Sequence, residues 1–288
     1  MSFNHLFPLR STVGLAPLCA IALALASSPS NTSAAVIATL AYEQGFEVDT
    51  DGWQAFGGGS SLSRVPDGTN GISSADGDFH AEVVVGGFTN FGGYSTAGSE
   101  LGFLSTLDIY LSVTDGWAND TRVDYSVAAS NTSGGHLRDF IFNMGFYDEV
   151  SGAGTNNGFI ISAGFNSGRA NSFPSNPGQD PISITDSGWY TFQHLFQEGA
   201  DGALEVTMAI VDENGNAMGS WTLSNATDDW SSVFGGNRYG WMLNNEFTFL
   251  AIDNSTLTVA PEPGRAMLLS LALLGWLVQS RRRTSRTH

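Results

Sequence analysis

Lysine is absent from this 288-residue chain, and cysteine occurs only once, at Cys19. Without lysine the chain cannot form the Gly-rich phosphate-binding loop in which a Lys reaches the phosphates. Cleavage after the apolar segment around Cys19 would leave no thiol, which excludes disulfides, thiol catalysis and cysteine-ligated zinc. No stretch between residues 36 and 260 has sustained helical spacing of apolar residues, so the sequence does not predict a helical body.

Positive charge is also scarce, with 11 Arg against 28 Asp and Glu. The body, defined here as residues 36–260, contains 27 acidic residues and five Arg, which is a net charge of −22. A surface this acidic repels nucleic acid and anionic lipid, so neither is predicted to bind the body. Two explanations of the acidity stay open, namely solubility and the binding of a cation.

The first 35 residues have the pattern of a secretory signal peptide. Arg10 supplies a positive charge, residues 13–26 form an apolar run, and small residues up to Ala35 provide cleavage sites. The sequence therefore predicts a signal peptide at residues 1–35 and export of the remaining chain.

The last 28 residues combine three features in a fixed order. Pro261-Glu262-Pro263 breaks regular structure, residues 266–278 form a short apolar segment, and Arg281, Arg282 and Arg283 follow. The apolar segment has 13 residues, fewer than the roughly 20 of a typical membrane-spanning helix. The arginines would hold this end on the cytoplasmic side of a membrane. An ordinary C-terminal membrane anchor is the alternative.

This order of features resembles the PEP-CTERM sorting signal. The resemblance implies a Gram-negative bacterium, recognition by an exosortase-type enzyme and processing near Pro261-Glu262-Pro263. It also implies delivery to the cell surface or to an exopolysaccharide matrix. Contact with the inner membrane would then be transient and made only through the short C-terminal helix before processing.

Between the two ends the hydrophobic pattern repeats every two residues. Leu204, Val206, Met208 and Ile210 alternate with more polar residues, which is typical of a strand with one buried face. Asn214-Gly215 is a strong hairpin-turn signal between two such runs. Many short runs separated by Gly-rich turns predict one all-β domain at residues 36–260, an antiparallel jelly-roll sandwich.

Three segments of the body resemble known β-sandwich families. The residues from Gly45-Phe46-Glu47 to Asp51-Gly52-Trp53 are similar to the start of many carbohydrate-binding jelly rolls. Residues 188–192 and 235–241 resemble concanavalin-like bodies found on some PEP-CTERM proteins. The resemblance implies a concanavalin-like sandwich and suggests glycans as ligands, but it provides no catalytic residues.

The sequence does not predict a catalytic centre. Glu47-Val48-Asp49-Thr50-Asp51 partly matches the acid strand of sandwich-fold glucanases, but Gly52 stands where the second catalytic acid is needed. The predicted role is therefore non-catalytic, in surface structure or glycan binding. The alternative is a carbohydrate-active enzyme, a hydrolase or lyase that acts on matrix polysaccharide.

Two kinds of candidate site follow from residue types alone. No cofactor is required, but Ca²⁺ is the candidate metal because the body is rich in the oxygen ligands that it prefers. Glycan binding needs an exposed aromatic platform. Tryptophans beside acidic turns are the candidate residues for binding extracellular polysaccharide. The candidate calcium ligands are Asp49, Asp51, Asp76, Asp78 and Asp253, and the candidate platform residues are Trp53, Trp117 and Trp230.

Overall fold

The computed structural model describes residues 39–93, 102–131, 133–150, 157–165, 174–233 and 238–259. These residues form strands and three short 3₁₀ turns. The strands are β1 (Thr39–Gln44), β2 (Trp53–Ala55), β3 (Ser61–Pro66), β4 (Phe79–Val84), β5 (Gly87–Thr89), β6 (Phe103–Leu111), β7 (Thr121–Ser130), β8 (His136–Tyr147), β9 (Gly158–Phe165), β10 (Ile182–Ile184), β11 (Gly188–Glu198), β12 (Ala203–Asp212), β13 (Ala217–Asp229), β14 (Arg238–Leu243) and β15 (Leu250–Val259).

The strands form two sheets in which neighbouring strands run antiparallel. The first sheet has eight strands in the order β13-β12-β11-β6-β15-β4-β3, with β1 also paired to β15. The second has seven strands in the order β10-β9-β8-β7-β14-β5-β2. The all-β antiparallel jelly-roll sandwich predicted from the sequence is confirmed.

Aromatic side chains from both sheets meet in the core. Phe192 on β11 contacts Phe142 on β8 with ring centroids 5.1 Å apart, and Tyr125 on β7 with centroids 6.3 Å apart. Both pairs are edge-to-face, at interplanar angles of 85° and 86°, which is the favoured aromatic geometry. The first sheet therefore packs directly on the second.

The alternation in the sequence placed most of the long strands correctly. Leu204, Val206, Met208 and Ile210 are fully buried, as the period of two predicts. Residues 213–216 form the hairpin turn between β12 and β13 that Asn214-Gly215 indicates. The sequence pattern missed β2, β5 and β10, because three residues are too few to show a clear period. It also missed β3, in which no residue is fully buried.

Both predicted end segments lie outside the described residues. They are the signal peptide at residues 1–35 and the tail that contains Pro261, Glu262, Pro263 and the arginines Arg281, Arg282 and Arg283. Of the helices in the described ranges, none has the length and apolar character needed to cross a membrane.

Candidate functional site

The outer face of the seven-stranded sheet has a group of aromatic side chains. On β7, Tyr125 and Val127 belong to the main core, so Ser126 and Ala128 point to the opposite, outer side. Tyr239 and Trp241 lie across from Ala128 and Ser126, which places both rings on this outer side too. We call Phe56, Phe88, His136, Tyr239 and Trp241 the aromatic face.

Strand order brings distant parts of the chain together here. Phe88 on β5 pairs with Trp241 on β14, and β14 in turn pairs with β7. Phe56 directly follows β2, and its backbone N–H donates a hydrogen bond to the carbonyl oxygen of Gly86, 3.0 Å away. His136 begins β8 opposite Ser130, after a register shift in the β7–β8 pair. The aromatic face therefore depends on four strands and one turn.

Three rings of the aromatic face are accessible and nearly parallel. Trp241 is half-buried, with Phe56 6.4 Å away at an angle of 16° and His136 6.2 Å away at 28°. Phe56 is 43% exposed, and the His136 side chain is 44% exposed. Phe88 and Tyr239 are buried and pack against Trp241, with ring centroids 6.4 and 5.3 Å from it. The result is a row of partly exposed rings on a buried base.

Hydrogen-bonding groups border the same row. The Tyr239 hydroxyl lies 2.6 Å from Nδ1 of His136, and Nε2 of His136 lies 3.4 Å from a carboxylate oxygen of Asp139. Burial raises the pKa of Asp139, while His136 and the Ser126 hydroxyl act in the opposite direction. Rings beside hydroxyl, imidazole and carboxyl groups can hold a ligand that has both apolar and hydroxyl-bearing surfaces.

The three tryptophans proposed as a platform do not form one. Trp53 and Trp230 are only 5% and 3% exposed and belong to the core, so the prediction was wrong for both. Trp117 is half-buried, its Nε1–H donates to the carbonyl oxygen of Ser112, and its ring packs on Phe247 at 5.1 Å. An adjacent acidic turn does not determine which side of a sheet a residue faces, and that side decides exposure.

The aromatic face was missed as a group, although part of its signal is in the sequence. Tyr239 and Trp241 are two residues apart on one strand, so the period of two places both rings on the same side. Nothing in the local sequence shows that this side is the outer one.

Two of the candidate calcium ligands lie in the turn after β1. The Asp49 carboxylate accepts hydrogen bonds from the Asp51 backbone N–H and from the Gln44 side chain, each at 3.0 Å. These bonds, the one from Asp51 first, lower the pKa of Asp49. The Asp51 carbonyl oxygen accepts bonds from Tyr42 and Gln44. The Asp49 side chain and the Asp51 backbone therefore close a turn here.

Asp76 and Asp78 are exposed and contribute backbone N–H groups instead of carboxylates. The Asp76 N–H donates to the Asp253 carboxylate at 3.3 Å, and the Asp78 N–H donates to the Glu47 carboxylate at 3.0 Å. Within the described ranges no cluster of three or more His, Cys, Asp or Glu could hold a metal ion. The five candidate ligands therefore do not converge there, and Ca²⁺ binding stays a prediction.

Asp253 lies at an irregularity of β15. Before it, residues 250–252 pair with β4, and after it, residues 255–259 pair with β1. Its carboxylate is fully buried, faces Asp108 across the β15–β6 pair, and accepts a hydrogen bond from the Ala75 N–H at 3.0 Å. Burial is the main cause that raises the pKa of Asp253 to about 8, and the negative charge of Asp108 adds to it. The Asp253 carboxylate thus holds residues 75–76, which lie between β3 and β4, against β15.

Comparison with known proteins gives a weak likeness to solved structures and no family. No protein-family model matches the chain, and no curated protein matches it at a significant level. An endo-1,3-β-glucanase from Streptomyces sioyaensis is 8% identical, with a TM-score of 0.40, and the match covers 82% of this chain and all of that one. An alginate lyase from Aplysia kurodai is 9% identical, with a TM-score of 0.39, over 68% of this chain and 86% of the lyase.

Lectins are among the similar structures as well. A lectin from Bauhinia forficata in complex with GalNAc is 12% identical, with a TM-score of 0.35, and the match covers 77% of this chain and 97% of the lectin. At such identities and TM-scores, these likenesses do not identify what the aromatic face binds.

Proposed function

We propose that the protein binds a glycan on the aromatic face and that this role is non-catalytic. The observation that carries the proposal is the accessible row of Phe56, Trp241 and His136 on a buried base of Phe88 and Tyr239. The flat C–H face of a sugar ring fits such a row, because both surfaces lose apolar contact with water. Neighbouring hydroxyl groups of the sugar would meet polar groups at the border of the row.

The polar border supports a sugar more than a purely apolar ligand. Asp139 accepts hydrogen bonds, and the Ser126 hydroxyl lies 3.5 Å from its carboxylate. The His136–Tyr239 pair holds the imidazole at a fixed orientation beside Trp241. An apolar ligand would remove water from these polar groups without offering new hydrogen bonds, which costs free energy. A glycan would satisfy them.

The test is glycan-array binding of the full-length chain, followed by titration of one retained glycan. We expect Trp241→Ala to weaken binding about tenfold or more, since central aromatic residues are typical hot spots. The matched control is Trp117→Ala, another half-buried tryptophan, which lies away from the aromatic face and should leave affinity unchanged. Equal affinity of wild type and Trp241→Ala would reject the proposal.

An enzyme is the second candidate, because one open cavity brings carboxylates together. This cavity of about 520 Å³ is lined by Glu43, Asp49 and Asp51, among others. Paired carboxylates in an open cleft are the arrangement that glycoside hydrolysis uses. Release of reducing ends from a bound polysaccharide, and its loss in Asp51→Asn, would support this candidate. Binding without product would count against it.

We also propose that the tail sorts the protein to the cell surface or matrix. The proposal rests on the order of Pro261-Glu262-Pro263, an apolar segment and arginines, which resembles an exosortase signal. Deleting residues 261–288 should abolish surface retention, as measured by surface labelling of cells. Replacing Arg281, Arg282 and Arg283 by Gln would test separately whether these arginines act as a membrane stop, which holds the end of the tail on the cytoplasmic side. Unchanged retention of the deleted form would contradict the sorting proposal.

The proposal that the body holds Ca²⁺ rests on its acidic composition alone. The unfolding temperature in Ca²⁺ and in a chelator tests it directly, since a ligand that binds only the folded state raises that temperature. Equal temperatures would reject it.

A further inference from the structure

The glycan must meet the charges around the aromatic face, and these are negative. Asp139 lies beside His136, and Asp124 lies on the same outer side of β7, where the side chains of Asn143 and Asn244 donate hydrogen bonds to it at 2.8 and 3.0 Å. The whole body has a net charge of −22. Negative potential at the site is therefore local as well as global.

Among the described residues, the permanent cations that could offset this charge are arginines, and these are committed elsewhere. The chain has no Lys, and Arg122 pairs with the Asp120 carboxylate at 2.6 Å. Arg138 is paired to Asp228, with its guanidinium 4.7 Å from the Phe165 ring centre.

The other two described arginines are also occupied away from the aromatic face. Arg238 is buried over Phe103, where its side chain donates to the carbonyl oxygen of Val233. Arg64 donates to the carbonyl oxygens of Phe46 and Glu47. Within the described part of the chain, every arginine is thus held by other groups.

We infer that the glycan bound by the aromatic face has no carboxylate or sulfate groups, and that free amino groups on its sugars strengthen binding. This inference rests on the proposed function of the same site. A uronate or sulfate group would lie near Asp139, and none of the described arginines is placed to receive it, so the like-charge contact would be costly. An ammonium group at the same place would pair with the Asp139 carboxylate. The hydrogen bond from the ammonium group to the ionised carboxylate would be stronger than the bond from a sugar hydroxyl group to the same carboxylate.

The experiment compares oligosaccharides of equal length and β-1,4 linkage with the full-length chain. The three probes are an N-acetylhexosamine oligomer, its de-N-acetylated form and a uronate oligomer, each titrated by calorimetry. We expect the amino form to bind at least threefold more tightly than the acetylated form, and the uronate at least tenfold more weakly. In Asp139→Asn the advantage of the amino form over the acetylated form should disappear.

The Trp241→Ala variant distinguishes binding of the amino oligomer at the aromatic face from its general attraction to the acidic surface. Loss of amino-oligomer binding in Trp241→Ala supports the inference, and amino-oligomer binding that survives this substitution overturns it. Uronate binding equal to or tighter than that of the acetylated form also overturns the inference but leaves glycan binding standing. No binding of any of the three oligomers, together with no retained glycan on the array, overturns the proposed function itself.

Discussion

At the scale of single residues, His194 shows how burial controls ionisation. Its ring is fully buried between the sheets, 4.9 Å from the ring of Phe142, and Nε2 lies 3.1 Å from the carbonyl oxygen of Phe140. Within the described residues Nδ1 has no hydrogen-bond partner. Burial lowers the pKa of His194 to about 3, against an ordinary value near 6.5. The neutral ring is therefore the folded form.

This lowered pKa predicts acid sensitivity. Between about pH 6.5 and pH 3 the unfolded chain binds a proton at His194 that the folded chain does not, so stability falls as the pH falls. The contribution is at most about 1.4 kcal/mol per pH unit. We expect His194→Gln to be less stable at pH 7 by about 1–3 kcal/mol, because a core ring is lost.

The same substitution should also flatten the pH dependence, since Gln does not titrate. Urea unfolding at a series of pH values measures both effects. Parallel stability curves for wild type and His194→Gln would show that His194 is not the source of the acid sensitivity.

At the scale of elements, the β12–β13 hairpin depends on one backbone conformation. Gly215 has φ +81°, and its N–H donates to the Asp212 carbonyl oxygen at 2.9 Å. The Asp212 carboxylate accepts bonds from the backbone N–H groups of Asn214 and Asn216. Glycine is needed here because a residue with a Cβ is strained at this φ.

We expect Gly215→Ala to lower the free energy of unfolding by about 1 kcal/mol. A Cβ added at Gly215 meets no atom within 4 Å, so the cost is backbone strain alone. Gly58→Ala is the matched control, because Gly58 is equally open and lacks a positive φ. Urea unfolding of both variants measures the difference. Equal losses at both positions would argue against strain as the cause.

Another element-scale feature explains how the aromatic face forms. The register shift between Ala129 and Ser130 in the β7–β8 pair sets His136 opposite Ser130, on the side of Ala128. A one-residue shift in the pairing reverses the side to which the side chains beyond it point. Without it, the imidazole would not reach the Tyr239 hydroxyl.

At the scale of the whole molecule, the imbalance of charge affects stability. The body has 27 acidic residues against five Arg, and many of these carboxylates repel one another in the folded state. Salt shortens the range of this repulsion, with a Debye length of about 30 Å at 0.01 M and about 8 Å at 0.15 M. We expect the urea midpoint to rise between these two NaCl concentrations.

Sucrose at a fixed low salt concentration provides the comparison for that experiment, because it stabilises by exclusion without screening charge. A urea midpoint that does not change with NaCl would show that the acidic groups are too far apart to destabilise the fold.

The sequence by itself determined the class of fold, the long strands and the acidic character of the body. Alternation with a period of two is local, so Leu204 to Ile210 could be recognised as a strand with one buried side without knowledge of its partners. The Asn214-Gly215 turn is equally local, because it depends on backbone conformation within four residues.

Only the tertiary structure decided which aromatic residues are accessible. Trp53 and Trp241 are both strand tryptophans of the second sheet, yet one is in the core and the other is on the aromatic face. The difference depends on strand order and register, which bring His136 to Tyr239 across 103 positions of the chain. Such long-range pairing leaves no mark on the residues nearby, so local pattern cannot reveal it.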